Sequence, residues 1–370
     1  SFLAPTNTMS QIVIGRPCIE SVVTVKPAVN ESIATPEHYA YLGTHGIPPG
    51  LAEQFVKSKE FFPLRIWIID NSGSMATGDG HRVVRDAAGR CATVSCSRWE
   101  ELCDTISFHG ALASHLGAKT EFHLLNHPGH GAPQVLTLGS GQEKVDNEAT
   151  ALKALTSTCP TGRTPLCNSI QQVVKQIERL APALRRSNQR CVLVIASDGA
   201  ATDGDVAQAM KPLEALPVWV VVRLCTDETP VTEYWNSVDQ TLELDLDVLD
   251  DLSGEAAEVC APRRNPWLVY AAPLHRLREF GTSNKLLDLL DERALTSAEM
   301  RGLLELVLGG AACDLPHPDI DWHSFEMALK AVLSKVPEVY NPLRKRTQPW
   351  VSLAQLHRSY ASQGGGCACM

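Results

Sequence analysis

The chain of 370 residues has no run of eighteen or more apolar residues, so no membrane-spanning helix is expected. Its opening stretch, "SFLAPTNTMSQIVIG", lacks a basic segment followed by an apolar one, which argues against a secretory signal. Long blocks of one charge are missing as well. The net charge of -9 is spread along the sequence, with "LRKR" at 343–346 the local exception, and that pattern argues against a dedicated nucleic-acid binder. No G-x-S-x-G, Walker loop or G-x-G-x-x-G after a strand is present, so no catalytic machinery is visible and the protein is not expected to be an enzyme. Twelve cysteines are scattered, many inside apolar runs such as "CVLVIAS", rather than packed into a small disulfide framework. Reduced, mostly core thiols and a cytoplasmic location are the expectation.

What is present is an ordinary globular composition, 44% hydrophobic and 20% charged, in a chain longer than one average domain. Residues 1–63 read as an extension, Pro-, Thr- and Gly-punctuated, with a β-branched run "SVVTVK" and one helix at "PPGLAEQFVKSKE". From residue 64, apolar runs bounded by turns recur as "LRIWIID", "TEFHLLN", "QVLTL", "CVLVIAS" and "PVWVVVRL", the pattern of strands covered on both faces. Helical stretches alternate with them. "SRWEELCDTISFHGALASHL" opens with the S-x-x-E capping box of Ser97 and Glu100, and "TPLCNSIQQVVKQIERL" carries Ile170, Val173, Val174, Ile177 and Leu180 at helical spacing. The expected class is α/β, a doubly wound, mostly parallel sheet flanked by helices over 64–264. "RVVRDAAGRCATVSC" reads as a hairpin inserted in the first crossover. After about residue 265 the strand runs stop, giving a helical region to 360 and a flexible tail at 361–370.

The buried-type run "LRIWIID" ends at Asp70, followed by "NSGSM", and "VLVIAS" is followed by Asp198. In a doubly wound sheet, ligands bind outside the carboxyl ends of the strands. Thr164 stands immediately before Pro165, at the start of the second clear helix. If Asp70, Ser72, Ser74, Thr164 and Asp198 meet there, two carboxylates and three hydroxyls suit a hard divalent cation, which takes about six oxygens and keeps several waters.

In this order the five residues resemble the metal-ion-dependent adhesion site of the von Willebrand factor A domain, the fold shared with integrin I domains and copines, whose pattern is D-x-S-x-S, a distant Thr and a distant Asp. The resemblance spans residues 64–260, and a eukaryotic A-domain family is similar over a longer span that includes the "GDGHR" after the site. It implies Ser72, Ser74 and Thr164 as hydroxyl ligands, Asp70 and Asp198 as carboxylates, and Mg²⁺ (or Mn²⁺ or Ca²⁺) as the ion. If the hydroxyls bind directly and the carboxylates through water, the ion stays positive enough to attract a carboxylate from a protein partner. The alternatives are a metal-dependent hydrolase on the same carboxylates and a scaffold with a vestigial site.

Other clusters have plainer readings. Asp79, Asp203 and Asp205 read as helix caps or turn formers, and His123, His127 and His130 as surface loop histidines rather than zinc ligands. The series Cys91, Cys96, Cys103 and His109 is explained by a strand and a capped helix, and Trp67 and Trp219 by core packing. The ending "CACM" fits C-a-a-X on Cys367, although Cys369 is not aliphatic; membrane association is expected only if that tail is lipidated.

Overall fold

The computed structural model describes residues 34–129, 131–226 and 228–361; the "SVVTVK" run, His130 and Cys367 lie outside them. Two helices come first, α1 (Pro36–Thr44) and α2 (Pro49–Phe61). There follow β1 (Arg65–Ile69), the hairpin of β2 (Gly80–Arg85) and β3 (Cys91–Cys96), α3 (Arg98–Leu116), β4 (Thr120–Leu124), β5 (Val135–Leu138), α4 (Val145–Thr156) and α5 (Leu166–Arg186). The middle of the chain continues with β6 (Cys191–Ser197), a short α6 (Val206–Met210), β7 (Val218–Leu224), α7 (Thr229–Thr241), β8 (Leu246–Leu249) and α8 (Leu252–Val259). Then come α9 (Ala272–Phe280), α10 (Lys285–Glu292), α11 (Ser297–Leu308), α12 (Trp322–Leu333), the hairpin of β9 (Val339–Asn341) and β10 (Arg346–Gln348), and α13 (Leu353–Tyr360).

Six strands form one sheet in the order β5-β4-β1-β6-β7-β8, parallel throughout except for the antiparallel edge strand β5. The alternation within each run decides which face a side chain joins. Ile66 and Ile68 line up beside Leu193 and Ile195 and pack under Ile170, Val173 and Ile177 of α5. Trp67 and Ile69 point the other way, with Val192 and Val194, onto Leu102 and Ile106 of α3. Helices therefore cover both faces, and the fold is the doubly wound α/β class that the apolar runs imply. The strand order turns back at β1, so the crevice between β1 and β6 is the topological switch point.

The two leading helices pack away from the sheet, α2 against α9 and α11, in one apolar cluster with the C-terminal helices. Gly50 permits this closeness, since a Cβ there would lie 2.4 Å from the Leu306 carbonyl oxygen. Arg65, buried at the start of β1, joins that body to the sheet. Its Nε donates to Phe280 O at 2.9 Å, Nη1 to Phe62 O at 2.9 Å and Nη2 to Ser58 Oγ at 2.8 Å, while the guanidinium lies 3.5 Å from the Phe280 ring centre.

Several details depart from the sequence reading. The region after residue 265 is not purely helical: β9 and β10 pair antiparallel, and "LRKR" forms their turn, with Lys345 at φ +50°. β8 also escaped notice, because "LDVL" alternates polar and apolar where its neighbours are continuous. Trp219 is half-buried, beneath the Arg190 guanidinium, whereas Trp67 is fully buried. Among the described residues the cysteines are free but not mostly core: Cys167, Cys191 and Cys225 are buried, Cys159 and Cys313 exposed, and the rest half-buried.

A second ionic knot docks α9 on α3 and β7. Glu279 is fully buried and faces His109 Nε2 at 3.0 Å, Arg276 Nη1 at 2.9 Å, His275 Nε2 at 3.4 Å and Arg223 Nε at 3.5 Å. Burial opposes its charge, yet Arg276 and the two histidines hold it well below the usual carboxylate range. His109 goes the other way: burial pulls it from 6.5 down to about 4, so near neutrality it is the uncharged donor to Glu279. A folded-state pKa below the unfolded one means that the unfolded chain takes up the proton first. Stability is accordingly lost as pH falls from about 6.5 to about 4. Urea unfolding across that window should show wild type losing up to about 3 kcal/mol relative to His109→Gln, which cannot titrate. Parallel pH profiles for the two proteins would contradict the assignment.

Candidate metal centre

Adjacent parallel strands place their ends side by side, and β1 and β6 are in register through Ile69 and Ala196. Asp70 follows the first and Asp198 the second, so the two carboxylates arrive at the same crevice; Asp70 N donates to Ala196 O at 2.9 Å. Asp70 is fully buried. Its Oδ1 accepts from the Ser72 amide at 2.9 Å and its Oδ2 from Ser197 Oγ at 2.7 Å. Ser72 Oγ lies 3.0 Å from Ser74 Oγ, and Ser74 Oγ donates to Asp198 Oδ1 at 3.0 Å. Four of the five expected residues thus form one hydrogen-bonded chain.

Thr164 comes from a separate loop between α4 and α5 and is buried. Among the described residues no hydrogen bond joins its hydroxyl to the other four; its carbonyl accepts from Leu166 N at 2.8 Å and Thr202 N at 2.9 Å. Its loop is docked by backbone hydrogen bonds on residues 71–73. Thr161 N donates to Asn71 O at 2.7 Å, and Gly73 N to Gly162 O at 3.1 Å. Asn71 and Asn126 lock the pair of loops, with Asn71 Nδ2 on Asn126 O at 2.9 Å and Asn126 Nδ2 on Arg163 O at 2.7 Å.

The two carboxylates are unequally served. Asp70 has hydrogen-bond donors, yet among the described residues no basic side chain pairs with it; burial raises its pKa, against the hydrogen bonds from Ser197 and Ser72 and with a further push from Asp198. Asp198 has a cation. Arg98, the first residue of α3, places Nη1 3.0 Å from Asp198 Oδ2, forks Nε and Nη2 onto Asp79 at 2.7 and 2.6 Å, and sets Nη2 2.7 Å from Glu228. The hydrogen bonds that it donates to Asp79 first, and to Glu228 and Asp198 after, hold this guanidinium protonated beyond its ordinary range against the pull of burial.

Sequence reasoning missed Arg98 and Ser197. Ser197 was hidden as the last residue of an apolar strand. Arg98 left a signal: a cation at the first position of a capped helix opposes the helix dipole, which favours acidic side chains there. Asp79 stands in the turn before β2 and is also this arginine's partner, whereas Asp203 accepts from Cys167 N and Asn168 N at the start of α5 and Asp205 caps α6.

A buried carboxylate without a counter-cation, a second one beside it and hydroxyls between them fit a hard divalent ion; Ser72, Ser74, Asp70 and Asp198 are the groups that could hold it. Among the described residues no three His, Cys, Asp or Glu side chains cluster as a metal site. His123 lies in β4, not in a loop, and meets Glu121 at 3.2 Å; His127 accepts from Gly129 N.

No protein-family model matches the chain, and no curated protein matches it. Among solved structures it is similar to the SpRpn10 VWA domain, with 13% identity and a TM-score of 0.32 over 50% of this chain and 87% of that one. It is likewise similar to the conserved hypothetical protein BatB from Bacteroides thetaiotaomicron, with 13% identity and a TM-score of 0.31 over 52% of this chain and 92% of that one.

Gly162 tests how firmly the Thr164 loop is latched. It sits at φ +90°, and a Cβ would meet Asn126 Oδ1 at 2.7 Å. Gly162→Ala should lower stability by about 1–3 kcal/mol in urea unfolding, through backbone strain and displacement of Asn126. Gly199→Ala, whose Cβ meets nothing within 4 Å, should stay close to wild type. Equal stability of the two variants would show that the latch is slack.

Proposed function

We propose that this chain is a divalent-cation-dependent protein-binding module that recognises an acidic side chain of a partner protein, and not an enzyme. The reading rests on one observation above others: the hydrogen-bonded chain of Asp70, Ser72, Ser74 and Asp198 at the strand ends contains a fully buried carboxylate with no basic partner among the described residues. Charge buried in that way is costly unless a cation meets it. When bound there, Mg²⁺ (or Mn²⁺ or Ca²⁺) supplies an accessible positive charge for an outside carboxylate.

The chain's own groups are arranged for such a role. The Ser72 amide and Ser197 hydroxyl fix both oxygens of Asp70, leaving the Ser72 and Ser74 hydroxyls to turn toward the crevice as neutral donors of lone pairs. Thr164, carried on its own latched loop, completes the set of five. Neutral ligands leave more charge on the cation than carboxylates would.

The hydrolase alternative needs a base or acid at the same crevice. The basic side chain that touches Asp198 is Arg98, which stays protonated, and the fully buried His109, depressed by burial, is engaged by Glu279. Both facts weigh against it. No described helix is long and apolar enough to cross a membrane. The same reading has the protein in the cytoplasm, reaching a membrane only through a lipidated Cys367.

The test is metal-dependent capture. With the full chain immobilised, partners bound in Mg²⁺ should be released by EDTA and should fail to bind Asp70→Ala, once circular dichroism has shown that the variant keeps the fold. Retention of the same partners in EDTA and by the variant would refute the proposal.

A further inference from the structure

Arg98 carries an unusual load for the first residue of a helix. Its side chain is 5% exposed and its guanidinium is divided among three carboxylates. Two of those do not require it for solvation: the side chains of Asp79 and Glu228 are 41% and 59% exposed, whereas that of Asp198 is 3% exposed. Helix formation does not account for it either, since a cation in the first turn is unfavourable.

We propose that Arg98 is a built-in counter-cation of the candidate metal centre: a positioning residue that neutralises Asp198 when no metal is bound and competes with a divalent ion for that carboxylate. This rests on the metal-binding reading of Asp70 and Asp198. Charge arithmetic gives the consequence. Two carboxylates alone would cancel a divalent ion; the share of the guanidinium that Asp198 receives, with Asp79 and Glu228 drawing on the rest, offsets part of that charge and leaves the bound ion part of its own. Metal is then held weakly until an anionic side chain joins it, which makes metal and acidic partner mutually dependent. Asp79 and Glu228, by sharing the guanidinium, set how much of it Asp198 receives.

Arg98 also has a structural part, because its backbone N–H donates to Thr77 O at 3.0 Å and ties the site loop to α3. The experiment must separate charge from scaffolding. Mn²⁺ binding to the metal-free full chain, followed by electron paramagnetic resonance at low salt, does so with three variants. Arg98→Gln should bind Mn²⁺ at least about tenfold more tightly, since a unit charge a few ångströms from a divalent ion outweighs that factor even in water. Arg98→Lys, which keeps the charge, should stay within about threefold of wild type. Asp70→Ala should lose binding. A purely structural Arg98 would leave Arg98→Gln unchanged or weaker, and that result, with Asp70→Ala still deficient, would overturn the role of Arg98 while leaving the metal centre standing. Wild type that does not bind Mn²⁺, or Asp70→Ala that binds normally, would overturn both. Should Arg98→Gln fail to fold, Asp79→Asn/Glu228→Gln replaces it: the whole guanidinium then falls to Asp198 and affinity should drop about tenfold, and unchanged affinity would overturn the proposal.

Discussion

Two carboxylates carried to the ends of neighbouring buried strands form an electrostatic problem that the surrounding structure is built to contain. Asp70 and Asp198 are almost wholly removed from water, and each must find donors or a cation within the protein. Asp198 takes Ser74 and Arg98; Asp70 takes Ser72 and Ser197 and has hydrogen bonds alone. That imbalance is the feature a divalent ion would correct, and it is why the crevice reads as a binding site instead of a pair of helix caps.

The elements around the crevice are organised to hold this arrangement still. The hairpin inserted after the site brings Asp79 to Arg98, and the capping box at Ser97 and Glu100 starts α3 where Arg98 can reach inward. One turn further along, Glu101 accepts from the His81 amide at 2.8 Å and pairs with buried Arg223, which belongs to the Glu279 knot beneath α9. α3 therefore touches the candidate metal centre at its first residue and bears the dock for the C-terminal helices along its length. At the other end of β1 from the site, Arg65 anchors the same helical body to the start of the strand.

The sheet was legible because its signal is local and strong: continuous apolar runs, each stopped by a polar turn, can be read without knowing which strand neighbours which. Asp70, Ser72, Ser74 and Asp198 were legible for the same reason, since a strand end is where a parallel sheet places its ligands. Thr164 was singled out by its place before Pro165 at a helix start, and its hydroxyl remains outside the hydrogen-bonded chain. Arg98 was not found, because its role depends on three carboxylates from distant segments that no spacing relates. The packing of α1 and α2 with helices more than 200 residues later was equally hidden, an apolar stripe being silent about its partner.

The most direct measurement is anomalous diffraction from crystals of the full chain grown with Mn²⁺. The account predicts one peak in the crevice between β1 and β6, within coordinating or water-bridged distance of Ser72, Ser74, Asp70 and Asp198, with Arg98 drawn off Asp198 toward Asp79 and Glu228. A crevice without an anomalous peak at millimolar Mn²⁺, with Arg98 still seated on Asp198, would contradict it.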